Sequence, residues 1–124
     1  MRRLGFALFG LWAAGLGVAV VLTHNAGWWQ FVFFAIALDL TLLAGAAPGL
    51  ARGQLHPRAV PLYNAVHNFL APAILVVVAF ALHANGWMAG ALAWTAHIAF
   101  DRSLGFGLRD AAGFQRASGR SAGP

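Results

Sequence analysis

The chain has 124 residues, enough for one domain. Only 9% are charged and 60% are hydrophobic, whereas a soluble domain carries roughly 25% charged residues, so lipid rather than water is expected to be most of its solvent. The absence of cysteine excludes disulfides, iron–sulfur clusters and thiolate metal sites. The net charge of +5 comes entirely from arginine on the basic side. These arginines lie between apolar runs rather than in one basic patch, which argues against nucleic acid and for topology signals and contacts with anionic lipid.

A membrane-spanning helix needs about 20 mostly apolar residues. The first run of that kind is Leu4 to Thr23, preceded by Arg2 and Arg3. It is longer than a signal-peptide core and a second run follows at once, so it is read as a retained span. His24-Asn25-Ala26-Gly27 leads into the second run, Trp28 to Ala46. A longer connection, Ala47 to Val60, holds Pro48, Gly49, Gly53 and Pro57 together with Arg52 and Arg58. The third run is Pro61 to His83, with the proline in the first helical turn, where its missing N–H costs nothing. After only Ala84-Asn85 comes the fourth, Gly86 to Phe106. The two short connections predict helical hairpins with antiparallel neighbours.

Orientation follows from charge. The two short connections hold no arginine, whereas the N-terminus, the middle connection and the C-terminal stretch (Arg109, Arg116, Arg120) hold most of them. The positive-inside rule then predicts both termini and the middle loop in the cytoplasm. Trp28, Trp29 and Trp87 fall together at the outer interface, where indole rings are favoured. The expected fold class is therefore all-α: a four-transmembrane-helix bundle, N-in and C-in, in the inner (plasma) membrane. It forms a single domain over residues 1–110, with a flexible cytoplasmic tail over 111–124. Gly86 and Gly90 form a GxxxG pair, read as close packing inside the bundle before a contact in a homo-oligomer.

Ionisable groups in lipid cost at least ~2.5–3.5 kcal/mol each, so each needs a reason. The second run carries Asp39; the third Tyr63, Asn64, His67 and Asn68; the fourth Thr95, His97, Asp101 and Arg102. At 1.5 Å per residue from the outer tryptophans, Asp39 lies about 16 Å deep, His97 about 15 Å and Asp101 about 21 Å. His67 lies about 21 Å from the outer side of a 30 Å core. Two carboxylates and two imidazoles thus share one slab, from the midplane toward the cytoplasm. His97 and Asp101 are spaced i, i+4, as are Tyr63 and His67; Asn64, His67 and Asn68 also share a face.

Three readings fit this slab. Asp39, His67, His97 and Asp101 are a donor set for Zn²⁺, Mn²⁺ or Fe²⁺, with Tyr63 and Asn64 orienting the ligands. Arg102 would hold a lipid phosphate or an anionic, membrane-associated substrate. The same residues also suit a structural or proton-relaying network in a non-enzymatic subunit or scaffold, with Asp39 or Asp101 paired to Arg102. Thirdly, His67 and His97 could ligate a b-type haem, with His24 and His83 as a second pair. No Gly-rich phosphate loop, G-x-S-x-G or H-E-x-x-H is present.

The stretch from His97 through Asp101-Arg102 to Gly105-Phe106-Gly107-Leu108-Arg109 resembles the C-terminal signature of a family of small membrane proteins, domain of unknown function 4260. That signature reads His-x-x-x-Asp-Arg-x-x-Gly-Tyr-Gly-Leu-Lys. Here Phe106 replaces the Tyr and Arg109 the Lys, so a hydroxyl near the site is lost. Asp39 matches an aspartate late in a preceding helix, and Tyr63-Asn64-Ala65-Val66-His67 matches a Tyr-Asn-x-x-His motif. The resemblance implies a four-helix membrane protein without an established activity. It picks out Asp39, Tyr63, Asn64, His67, His97, Asp101 and Arg102, and leaves His24 and His83 unmatched.

Overall fold

A computed structural model describes residues 2–115 of the chain. Four helical elements fill it: α1 (Arg2–His24), α2 (Trp28–Ala44), α3 (Pro57–Ala81) and α4 (Asn85–Ser103). Among the described residues the only β pairing is a bridge between Arg109 and Gln115. The described residues form an all-α fold, as expected.

The helix α4 is the hub, packing against α1, α2 and α3, whereas α1 and α2 barely touch each other. Its sequence explains this. Ala89, Gly90, Ala91, Ala93, Ala96 and Ala99 are buried along it, so neighbouring backbones can approach closely. The GxxxG pair is filled from within the chain. A Cβ on Gly86 would lie 2.7 Å from Gln30 Nε2, and one on Gly90 2.7 Å from the Phe34 ring. Gly10 of α1 accepts the Phe100 ring in the same way, at 2.8 Å.

The four expected spans differ in length and apolar character. Two helices, α1 and α3, are both long and apolar enough to cross a membrane. The α2 helix is apolar but shorter than 18 residues. The α4 helix is long enough, but small residues together with Thr95, His97, Asp101 and Arg102 dilute it. A central helix sheathed by neighbours has no need of bulky apolar side chains. The outer helices do have them, turned outward: Phe80 is 76% exposed, Leu43 72%, Leu70 69% and Leu22 68%. So extensive an apolar surface marks contact with lipid or with another protein.

Neither α2 nor α3 is continuous. In α2, α-helical winding ends at Ile36 and a 3-10 turn, Ala37–Asp39, precedes the last segment, Leu40–Ala44. In α3 the segment Val60–Val66 is separated from Leu70–Ala81 by an irregular step at residues 67–69. Pro72 accounts for that step: it has no N–H to give the Asn68 carbonyl, and its ring crowds that carbonyl. Asn68 repairs the damage. Its Oδ1 accepts from the Leu70 and Ala71 N–H groups at 3.0 and 3.3 Å, and its Nδ2 donates to the Asn64 and Ala65 carbonyls at 2.7 and 2.9 Å.

Residues 111–115, expected to open the C-terminal tail, are docked; the rest of that expected tail, 116–124, lies outside the described residues. Through Gln115 the chain folds back and docks on the middle connection. The Leu55 N–H donates to the Gly113 carbonyl at 2.9 Å, and Gln54 Nε2 donates to the Ala112 carbonyl at 2.8 Å. Asn64 clamps the main chain of Arg109, donating to its carbonyl at 2.9 Å and accepting from its N–H at 2.7 Å. Arg109 Nη1 completes the clasp by donating to the Gly53 and Gly113 carbonyls at 3.0 and 2.8 Å. Unpaired backbone groups near an apolar body are costly, and this loop meets its needs from within the chain. Arg116 and Arg120 lie outside the described residues.

Candidate functional site

The two irregular steps lie beside one another against α4, and they deliver the side chains singled out above. Asp39 ends the 3-10 turn of α2, His67 opens the step in α3, and His97 and Asp101 sit one turn apart on α4. One ligand-capable atom from each of the four lies within 4.8 Å of all the others. His97 Nε2 is 3.3 Å from Asp39 Oδ1 and 3.3 Å from Asp101 Oδ2. His67 Nε2 is 3.6 and 3.7 Å from the same two oxygens. His67 is buried, Asp101 half-buried and Asp39 the most open of the set.

The other ring nitrogens fix the tautomers. His97 Nδ1 lies 2.8 Å from the Ala35 carbonyl, and His67 Nδ1 lies 2.9 Å from the Tyr63 carbonyl. A carbonyl oxygen only accepts, so both Nδ1 atoms carry the proton and donate. In neutral rings, both Nε2 lone pairs then face the carboxylates. Both Nε2 atoms are buried and neither has a hydrogen-bond partner. The His97 distances are within hydrogen-bond reach, but with its proton on Nδ1 the neutral ring has no Nε2 donor to offer, so acceptor faces acceptor. The Tyr63 ring stacks on the His67 ring, with centroids 3.9 Å apart and planes 10° from parallel. That fixes the imidazole from the side as well as through Nδ1.

The ion pair that the network reading gives Arg102 does not form. Arg102 Nη2 donates to the His67 carbonyl at 2.9 Å, and its guanidinium lies 5.6 Å from the centre of the Phe69 ring. Among the described residues every close cation–carboxylate pair involves histidine, so Arg102 forms no salt bridge with Asp39 or Asp101. Its physical task is to hold the α3 step by capping a carbonyl that the broken helix leaves free. Asn64 also departs from the expectation, since it grips Arg109 rather than a ligand. Trp94 acts like Arg102, donating its indole N–H to the Val66 carbonyl at 2.7 Å.

The haem arrangement does not fit. Asp39 and Asp101 oxygens within 3.7 Å of both Nε2 atoms occupy the space that a porphyrin's nitrogens would need. His24 and His83 are exposed at helix ends.

Sequence reasoning missed Arg109 and Gln115. In sequence Arg109 reads as a topology charge, yet it is buried, with its guanidinium 4.7 Å from the centre of the Tyr63 ring. Gln115 Nε2 donates to the Tyr63 hydroxyl at 2.9 Å, and its Oε1 accepts from the Gly107 N–H at 2.9 Å. The Arg109 signal was present in the motif-like run ending at that residue; nothing marked Gln115. A cavity of about 160 Å³ is lined by Arg109 and Gln115 together with Asp39, Asp101 and Tyr63, and by the apolar Leu42 and Phe106. On another side of the cluster, an apolar groove of about 230 Å³ reaches His97 and Asp101 between Phe31 and Phe100.

No curated protein and no solved structure matches the chain. The family described as Domain of unknown function (DUF4260) matches residues 6–118, nearly the whole chain, and the protein therefore belongs to that family.

Proposed function

We propose that this protein is an integral membrane protein whose four helices all cross the bilayer, N-in and C-in, and that Asp39, His67, His97 and Asp101 bind one divalent metal ion. One observation carries the metal reading. Two imidazoles, His67 buried and His97 partly so, are locked through Nδ1 so that both buried Nε2 atoms converge on two carboxylates, with no hydrogen bond to either. Facing acceptors repel, and a cation among them turns that repulsion into coordination. A tetrahedral ion with bonds of about 2.0–2.1 Å has ligand–ligand edges of about 3.3–3.4 Å. The four nitrogen–oxygen separations of 3.3, 3.3, 3.6 and 3.7 Å are close to that, and the nitrogen–nitrogen and oxygen–oxygen edges lie within 4.8 Å, so a bound ion would draw the four groups together only slightly. Two negative charges also balance a divalent ion, which suits a site in a low-dielectric setting. The carbonyls of Ala35 and Tyr63 supply the outer support that metal-bound histidines usually have.

Membrane insertion is supported by the exposed apolar faces of α1, α2 and α3 and by the placement of charge. Arg52, Arg58 and Arg109 share the end where the middle connection meets the C-terminal segment, and Arg3 lies beside Gly105 at that end too. Trp29 and Trp87 meet edge to face at the opposite end, with centroids 5.4 Å apart. The chemistry such an ion supplies is Lewis-acid activation of water, and metal-assisted hydrolysis of a membrane-associated substrate is the activity this site would serve.

Elemental mass spectrometry on the detergent-purified, tag-free protein tests the metal. The expected result is about one equivalent of metal in the wild type and none in Asp39→Asn or His97→Ala. A folded wild type without metal, after supply of Zn²⁺, Mn²⁺ and Fe²⁺, would refute it and favour a protonated, structural Asp–His network. Because the chain has no cysteine, single cysteines at Asn25, Asn85 and Arg52 test the topology. Only the first two should react with an impermeant maleimide from outside the cell.

A further inference from the structure

We infer that the cavity beside the Asp39–Asp101 pair receives a phosphate-class oxyanion, held between Arg109 and the metal ion. This inference rests on the metal reading above. The cavity, about 160 Å³, is smaller than the usual 300–1,000 Å³ of a pocket that encloses a whole cofactor. It suits a head group or a free inorganic ion.

Its walls determine the sign of the ligand. Asp39 and Asp101 form one side, and a divalent ion there would cancel their charge. The polar groups that remain are donors. Arg109 is 8% exposed, and its Nε is buried without a hydrogen-bond partner. Nη1 is engaged with the Gly53 and Gly113 carbonyls, but a buried charged group with an unpartnered N–H is costly, and an anion in the recess relieves that cost. The Tyr63 hydroxyl accepts from Gln115, which leaves its own proton to donate. Phe106 contributes only an apolar wall. A guanidinium, a phenolic hydroxyl and a cation converging on one small space are matched by a tetrahedral oxyanion.

Two sources share this chemistry: a phospholipid head group and free phosphate. The apolar groove between Phe31 and Phe100, which reaches the same Asp101, provides a place for an alkyl chain in the first case.

The test uses the full chain in neutral detergent, with metal content read by elemental mass spectrometry on every sample. Inorganic phosphate and dihexanoyl phosphatidic acid are titrated calorimetrically into the metal-loaded and metal-free protein. Arg109→Lys strips clasp bonds as well as the guanidinium, so Gln115→Glu carries the comparison. Its carboxylate keeps an acceptor for the Gly107 N–H and accepts from the Tyr63 hydroxyl, while placing a negative charge at the cavity. The expected result is phosphate binding only when metal is present, weakened at least tenfold by Gln115→Glu. Tighter binding of the short-chain phosphatidic acid identifies a lipid head group as the ligand; equal or weaker binding identifies the free ion. Metal-loaded protein that binds neither overturns this inference and leaves the metal reading standing. Binding that is independent of metal or unchanged in Gln115→Glu overturns it too. Absence of metal under every condition overturns both.

Discussion

His97→Gln separates a metal centre from an ion-paired network. In the wild type, His97 gives Nδ1–H to the Ala35 carbonyl at 2.8 Å and turns Nε2 toward both carboxylates at 3.3 Å. A glutamine amide can place N–H donors near those oxygens but gives up the Ala35 bond, worth about 1 kcal/mol. Without metal, the variant should therefore be no more than about 1 kcal/mol less stable, and nearer to zero if the new donors are well placed. With metal the outcome differs. Four-ligand zinc sites bind with roughly 10–16 kcal/mol, so one ligand's share is about 3 kcal/mol, or about a hundredfold in affinity. At free Zn²⁺ a thousand times the wild-type Kd, metal stabilises the wild type by about 4 kcal/mol, and a hundredfold weaker site by only about 1.4 kcal/mol. Denaturant titrations in detergent, with buffered Zn²⁺ and with chelator, read both quantities. An equal metal-dependent gain in wild type and variant would refute His97 as a ligand.

Further expectations follow from packing. Gly90→Ala pushes a Cβ to 2.7 Å from the Phe34 ring, whereas Gly15→Ala meets nothing within 4 Å. Overpacking costs about 1–3 kcal/mol and helix propensity returns about 1, so Gly15→Ala should raise and Gly90→Ala lower stability, a gap of about 2 kcal/mol in the same titration. Equal shifts would contradict the close α2–α4 approach. Pro72→Ala restores an N–H facing the Asn68 carbonyl, making continuous winding competitive and displacing His67. Metal affinity should fall at least about tenfold without loss of helical circular dichroism, and unchanged affinity would show that Asn68 alone sets the step. Asn64→Ala removes both bonds to the Arg109 main chain, about 2 kcal/mol from the clasp. Limited proteolysis after Arg109 should then be faster, with metal content unchanged.

The candidate site was legible because ionisable side chains are conspicuous within apolar runs. Depth counting and i, i+4 spacing drew Asp39, His67, His97 and Asp101 together, and the structure brings those four within 4.8 Å of one another. The irregular steps were not anticipated. Pro72 is a visible signal for the α3 step, but it sits inside a continuous apolar run that reads as one helix; the 3-10 turn before Leu40 has no comparable mark. Asn64 was misplaced for a related reason. A shared helical face fixes direction, yet the docked C-terminal segment competes for that face, and its path depends on contacts such as Leu55 to Gly113, far apart in sequence. Burial of Arg109 has the same cause, since charge alone predicts exposure and the carbonyls that receive it come from two loops.

The irregular steps also determine how this site would look to mutagenesis. The groups that hold His97, His67, Trp94 and Arg102 in place are the carbonyl oxygens of Ala35, Tyr63, Val66 and His67. A carbonyl survives every side-chain substitution. A saturation scan would flag the four converging side chains and rate Ala35 and Val66 as tolerant of conservative change. Half of the scaffolding would thus be invisible to it. Replacing the amide by an ester at Ile36, whose preceding carbonyl is that of Ala35, weakens that acceptor without altering any side chain and makes the hidden half accessible to experiment.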